Sequence, residues 1–309
     1  MNTPQLIIAT RESPLALWQA NWVKARLLET HPSLSIELLG MTTQADRMLD
    51  ISLSTVGGKG LFVKELEEAL LDKRADIAVH SMKDVPMELP SGLCIPIVCE
   101  REDPRDAFVS NEFSSITALP SGAVVGTSSL RRQSQLLSLR PDLTIVHLRG
   151  NVNTRLAKLD RGEYAAIILA AAGLKRLGLQ ERIRAFLSIE ESLPAAGQGI
   201  LGIECREADE QTLQLIAVLK DSPSMACITA ERAMCLRIGG GCQAPVAAFA
   251  DITENKLTLR GLVARIDGSL ILRAQESGTL DQAEQIGIKV ANELLSQGAE
   301  DILSCLRKA

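Results

Sequence analysis

Aromatic residues are scarce in this chain of 309 residues: Phe, Tyr and Trp together make up 3%. Proteins that hold single-stranded nucleic acid stack bases on aromatic platforms, so the scarcity counts against that class. A formal net charge of -5 counts against a general nucleic-acid binder as well. No Cys-x-x-Cys pair occurs among the seven cysteines, and His31, His80 and His147 lie far apart. Neither a disulfide framework nor a metal site is indicated, and a reduced, cytoplasmic setting is expected. The longest apolar run, residues 165–174, is too short to span a bilayer. No basic segment precedes an apolar run at the N-terminus, so no secretory signal is read and no membrane partner is expected. No association helix stands out, and a monomer is expected.

What is present suits a globular protein of two or three domains, with 46% hydrophobic and 23% charged residues. Residues 6–10 form a short apolar run and read as a buried strand. Ser13 and Pro14 follow as a cap and a first helical position, and Leu15, Trp18, Trp22 and Leu27 recur at helical spacing. Residues 36–39 read as the next strand. Strand, helix, strand is the unit of a parallel sheet, with Arg11 and Ser13 at the edge where such sheets bind ligands. The glycine-rich loop 56–62 carries Lys59 and Phe62. It has Gly60 where a phosphate-binding loop needs Ser or Thr, which excludes a nucleotide site and leaves a lid reading. Residues 76–80 form another strand, and Lys83 and Asp84 lie just beyond its end. For an isolated Lys-Asp pair a surface ion pair is the competing reading.

The charged run 100–106 reads as a crossover into a second lobe. There the strand-turn-helix pattern repeats three times, and each strand ends in a basic turn. Thr127, Ser129, Arg131 and Arg132 follow the first strand, Arg149 and Arg155 the second, and Arg176 the third. Arginine forks suit carboxylates and phosphates. Five such arginines, with Arg11, Lys59 and Lys83 in the other lobe, imply a polyanionic ligand between the lobes. Gln198 lies in a flexible connection from which residues 200–204 return to the first lobe. A helix near 224–237 leads into Gly239, Gly240, Gly241 and Cys242, with Pro245 after them. Glycines permit an unusual backbone and proline fixes the exit, so the loop presents a thiol, and a deprotonated thiol is a nucleophile. An inert buried cysteine is the competing reading. Strands near 246–250, 256–264 and 270–275, a hairpin turn at Asp267 and Gly268, and two final helices complete a small α+β domain. The expected domains are 1–99 with 200–219, then 100–199, then 220–309.

Six segments carry a resemblance to the porphobilinogen deaminase (hydroxymethylbilane synthase) family: 9–16, 56–62, 80–86, 126–132, 148–152, and 231–233 leading to 240–242. The resemblance covers nearly all of the chain. It implies an α/β fold of two periplasmic-binding-protein-like lobes, with parallel-dominated sheets and a double crossover, plus the α+β C-terminal domain. It implies a dipyrromethane cofactor joined by a thioether to Cys242. It further implies head-to-tail condensation of four porphobilinogen molecules with loss of ammonia, then hydrolysis to linear hydroxymethylbilane. Porphobilinogen and the growing polypyrrole are the implied partners. By the resemblance Asp84 is the catalytic carboxylate, which stabilises positive charge on the pyrrole nitrogen. Lys83, Thr127, Ser129, Arg131, Arg132, Arg155, Gly241 and Cys242 surround the cofactor. Arg11, Ser13, Lys59, Phe62, Arg149, Arg155, Arg176 and Gln198 meet the substrate. Thr55 departs from the family, whose bacterial members often carry a lysine there. Two other readings are weaker: a solute-binding protein of the same two-lobed fold, and a cysteine hydrolase using His80 or His147 as base.

Overall fold

A computed structural model describes residues 5–43, 63–239 and 244–307. Its chain divides into two compact units, Met1–Arg101 with Ile200–Met225, and Glu102–Gly199 with Ala226–Ala309.

The first unit starts with strand β1 (Gln5–Arg11), helix α1 (Pro14–Thr30) and strand β2 (Ser35–Met41). Helix α2 (Lys64–Leu71), β3 (Ile77–Ser81) and β4 (Leu93–Val98) follow. The alternation along β1 explains the layering. Leu6 and Ile8 face α1 and pack with Val23, Leu27, Ile77 and Val79. Ala9 faces the other way, with Leu66, Ala69 and Leu70 of α2.

In the second unit β5 (Asp106–Val109), β6 (Val124–Gly126), α3 (Leu130–Leu139), β7 (Thr144–Val146) and α4 (Val152–Asp160) come first. They are followed by β8 (Ala166–Ala170), α5 (Ala171–Arg176) and β9 (Ala185–Phe186). Phe108, Val125, Leu136 and Ile168 form the core on one face of this sheet. Leu148, Leu156, Ile167 and Leu174 form it on the other.

The chain then returns to the first unit as β10 (Leu201–Arg206) and α6 (Glu210–Ile216), and α7 (Ser222–Ile238) follows. The last part is an antiparallel sheet of β11 (Val246–Thr253), β12 (Lys256–Ala264) and β13 (Ile271–Gly278), with α8 (Ala283–Ser296) and α9 (Ala299–Arg307). Gly268 adopts φ +71 in the turn between β12 and β13, and Asp267 Oδ1 accepts from Ser269 N.

The strand orders are β2-β1-β3-β10-β4 and β7-β6-β8-β5-β9. Each sheet joins parallel pairings of the βαβ part to antiparallel ones. The strands next to the crossings, β10 in one unit and β5 in the other, run against both of their neighbours. A strand entering from the opposite crossing direction has no helix to turn it around, so it lies antiparallel.

Candidate active site

In the first unit two strand ends meet at one cavity. β1 ends at Arg11, and Ser13 caps α1 by accepting from Ala16 N at 3.3 Å. β3 ends at Ser81 and passes into the single tight turn Met82–Asp84. Met82 and Val85, each 3% exposed, anchor this turn on either side, so Asp84 between them reaches solvent. Arg11, Ser13, Gln19, His80, Ser81 and Asp84 line a cavity of about 70 Å³, with Val63 and Leu66 among its apolar walls. Gln19 Nε2 donates to Ser81 Oγ at 2.9 Å and ties α1 to the end of β3. Lys83, beside Asp84, is half-buried.

Behind the cavity lies a buried ionisable cluster. His80 Nε2 and Glu204 Oε2 are 2.8 Å apart, with side chains 4% and 1% exposed. Strand pairing explains the contact. His80 lies opposite Gly202 and Ala78 opposite Glu204, so the histidine and the glutamate are diagonal neighbours on one face. The second carboxyl oxygen, Glu204 Oε1, is buried and has no hydrogen-bond partner among the described residues. Glu67 of α2 joins the cluster. Burial, then the Glu204 charge, pushes its pKa up to about 7, against the opposing pull of His80.

In the second unit the turns after β6, β7 and β8 hold the remaining predicted residues. Thr127 Oγ1 accepts from Ser129 N at 3.2 Å, and Ser129 Oγ caps α3 by accepting from Arg132 N at 3.4 Å. Ser128 Oγ both donates to Leu148 O and accepts from Leu148 N, which locks the β6 and β7 turns together. Arg149 is half-buried in the β7 turn. Gly150, at φ +109, has no room for a Cβ, which would meet Thr154 Cβ at 2.7 Å. Arg155 Nε donates to Gly150 O at 2.8 Å. Arg176 is buried, and its Nη2 donates to Gly199 O at 2.7 Å.

Like Arg176, the expected ligand residues Arg131, Arg132 and Gln198 are engaged within the protein. Arg131 Nη1 donates to Asp106 Oδ2 at 2.9 Å and to Leu193 O at 2.7 Å. Arg132 donates through Nε and Nη2 to Asp106 Oδ1, and through Nη1 to Ile168 O. Gln198 Nε2 donates to Pro104 O at 2.6 Å and to Asp106 Oδ1 at 2.9 Å. The reason is the fully buried Asp106, which needs cationic partners once out of water. Burial alone would raise its pKa, but the two guanidiniums outweigh that and hold the carboxyl well below the usual carboxylate range. Arg131 and Arg132 thus form a buried two-to-one cluster with Asp106, while Arg149 and Arg155 are half-buried at the turns.

Asp106 was not among the expected site residues, because it lies in a charged run that reads as a crossover. Nor was Glu231, which is fully buried in α7. Glu231 Oε2 accepts from Gly197 N at 2.7 Å and Oε1 from Ala250 N at 2.8 Å, so one carboxylate joins α7 to β11 and to the segment holding Gln198. Lys59, Phe62, Thr55, Gly241 and Cys242 lie outside the described residues. Among the described residues no group of three or more His, Cys, Asp or Glu is arranged to hold a metal ion, and no helix is long and apolar enough to cross a membrane.

Two sequence families match this chain in tandem. Residues 6–214 match the family described as "Porphobilinogen deaminase, dipyromethane cofactor binding domain". Residues 225–296 match "Porphobilinogen deaminase, C-terminal domain". Similar solved structures include the methionine-binding protein MetQ, at 13% identity over 71% of this chain and 91% of that one, with a TM-score of 0.46. A nutrient-binding protein from Burkholderia cenocepacia bound to methionine matches at 14% identity over 70% of this chain and 90% of its own, with a TM-score of 0.41. A periplasmic substrate-binding protein from Coxiella burnetii gives 14% identity over 69% and 91%, with a TM-score of 0.42.

Proposed function

The chain belongs to the porphobilinogen deaminase family, and from that premise we propose how its residues divide the work. The protein is a transferase that polymerises porphobilinogen on a dipyrromethane cofactor in tetrapyrrole biosynthesis. In our reading the cofactor is held by a thioether to Cys242, four condensations precede hydrolysis to hydroxymethylbilane, and the enzyme works as a cytoplasmic monomer without nucleic-acid or membrane partners. Residues 220–309 form the domain that carries Cys242.

The donor chemistry fits a pyrrole carrying acetate and propionate groups. Arg11 and Ser13 border the Asp84 cavity in the first unit. Ser129, Arg149 and Arg155 occupy the turns of the second, with Thr127 bracing Ser129. Cations and hydroxyls of this kind bind carboxylates through charge-assisted hydrogen bonds of about 1.5–3 kcal/mol each. Arg131 and Arg132 share one carboxylate and so leave a net positive charge behind the Ser129 cap, which favours an anion there. Lys83 meets a cofactor carboxylate. Lys59 and Phe62 contact the growing chain, and Arg176 adds its positive charge from a buried position on Gly199 O. Gln198 acts indirectly, by bracing Asp106. When bound, the cofactor supplies a tethered pyrrole carbon as the first nucleophile, which makes each later addition intramolecular.

One observation supports the catalytic assignment most directly: Asp84 presents an exposed carboxylate at the rim of the cavity lined by Arg11 and Ser13. Positive charge develops on the pyrrole nitrogen as the amine leaves, and a carboxylate fixed there stabilises it. The intact mass of the denatured protein tests the attachment. An increment of two pyrrole units, absent from Cys242→Ala, is expected, and an unmodified mass even after incubation with porphobilinogen overturns it. Asp84→Ala is expected to retain the increment and lose about 10²-fold or more of turnover. Wild-type turnover in that variant removes Asp84 from the role.

A further inference from the structure

The cavity that holds Asp84 contains a second ionisable group, and the family reading gives it no task. His80 lines the cavity and is fixed from behind by Glu204. His80 Nε2 lies 2.8 Å from Glu204 Oε2, and opposite an ionised carboxylate, which only accepts, Nε2 is the ring nitrogen that carries the hydrogen. That leaves Nδ1 with its lone pair, and among the described residues no hydrogen bond engages it. A carboxylate-histidine pair in this arrangement fixes the tautomer and stabilises the imidazolium when the free nitrogen takes a proton.

We propose that His80 is a proton acceptor of the Asp84 cavity: Glu204 holds the imidazole by Nε2, and Nδ1 takes up the proton that each condensation discharges. The proposal rests on the porphobilinogen reading and deepens it. In one addition the carbon-nitrogen bond of the protonated aminomethyl group breaks and its electron pair leaves with ammonia. A carbon-carbon bond then forms at the free α-carbon of the growing chain, and that carbon gives up its hydrogen as a proton. Nδ1 receives the proton and passes it to the ammonia already released, which leaves the site as ammonium. Nothing is oxidised or reduced, and His80 returns to its neutral state for the next addition. Asp84, an exposed anion at the rim, stays free to stabilise charge on the pyrrole nitrogen, so the two tasks fall to two groups.

The charges that bear on the imidazole come from every packed element. β10 contributes Glu204, α2 contributes Glu67, the end of β1 contributes Arg11, and the turn after β3 contributes Asp84. Helix α1 contributes only the neutral Ser13 and Gln19. Glu67, pushed up to about 7 by burial and by Glu204, adds a further ionisation inside the cluster that responds to the same proton. The competing reading is a purely structural histidine-glutamate contact.

Two measurements on the full-length holoenzyme separate these readings. Long-range proton-nitrogen correlation spectra of the three histidines, assigned with His80→Gln, report which ring nitrogen carries the hydrogen. The Nε2-H tautomer is expected for His80, and in Glu204→Gln its titration midpoint moves to lower pH, because the variant removes the anion that stabilises the protonated ring. An Nδ1-H tautomer, or a midpoint unmoved in Glu204→Gln, overturns the proposal. Steady-state kinetics give the second reading. His80→Gln is expected to lower kcat by about 10²-fold and leave KM within a few-fold, as loss of a proton acceptor does. The acid limb of the pH profile is expected to move to lower pH in Glu204→Gln. A merely structural contact lowers melting temperature in both variants without moving that limb, and this outcome refutes the proposal. The wild-type controls keep the two readings apart. If the wild type lacks the pyrrole increment and releases no ammonia from porphobilinogen, the family assignment of residues fails. If it shows both and His80 fails its tests, only the present inference falls.

Discussion

Asp106 collects four side chains around one buried carboxylate: Arg131, Arg132, Ser192 and Gln198 all donate to it. The carboxylate fixes both guanidiniums behind the Ser129 cap and holds the Gln198 segment whose Gly197 is bound by Glu231. Removing it leaves two buried cations without their counter-ion. Asp106→Ala is therefore expected to cost about 3–5 kcal/mol, the range for breaking a buried ion pair from one side. Asp106→Asn, which keeps hydrogen-bonding atoms in place, is expected to cost less. Urea unfolding at pH 7 measures both, and a loss below about 1 kcal/mol for the alanine variant contradicts the account. The pH dependence has a definite sign. The folded state lowers the Asp106 pKa, so the contribution is complete above the unfolded carboxylate range and is lost only as the pH falls below it. Such a residue was illegible in the sequence. Charged runs are usually solvated, and nothing local marks Asp106 as the first residue of a buried strand.

At the scale of elements the caps and periodicities were the legible part. Ser13 with Pro14 announced α1, and the Thr127-Ser128-Ser129 turn announced α3, because an N-cap has local chemistry that a sequence shows directly. Pairings between distant elements were not legible. The His80 and Glu204 contact spans 124 positions and exists only because β10 lies antiparallel beside β3. The same holds for the crossing of α7 and α8. A Cβ built at Gly287 of α8 meets Ala230 O at 2.4 Å and Ala233 Cβ at 2.7 Å, so the two backbones are close enough to admit only glycine. Glu231, which ties α7 to β11, lies between the two contacted residues Ala230 and Ala233. Gly287→Ala must push the helices apart, and a loss of about 1–3 kcal/mol is expected from overpacking despite the better helix propensity of alanine. Thermal unfolding checks the sign. A variant as stable as the wild type, or more so, shows that the crossing relaxes and that the close approach is not required.

Across the whole molecule the chain order and the units do not coincide. The chain leaves the first unit after Arg101, returns at Ile200 and leaves again within α7. Alternating strands and helices made two lobes legible in the sequence. The direction of β10 was not, because an apolar strand reads alike whichever way it runs. Yet β10 decides whether the first unit folds. It lies between β3 and β4 and pairs with both, and Leu201, Ile203 and Cys205 sit in the core beside Leu6, Ile8 and Ile77. A fragment of residues 1–101 therefore lacks an interior strand, which leaves two facing rows of unpaired backbone groups and a gap in the core. Such groups are costly when sealed from water and prone to associate when exposed. The fragment alone is expected to show no cooperative unfolding in urea. Joining residues 101 and 200 through a short glycine-serine linker and ending at 225 restores the strand without the second unit. The ends to be joined are close, since Glu102 N donates to Gly199 O at 3.1 Å where the two crossings run side by side. The joined fragment is expected to unfold cooperatively and to retain strand content by far-ultraviolet circular dichroism. Cooperative unfolding of residues 1–101 on their own shows instead that β1 to β4 close a sheet without β10, and then the second crossing is dispensable for the first unit.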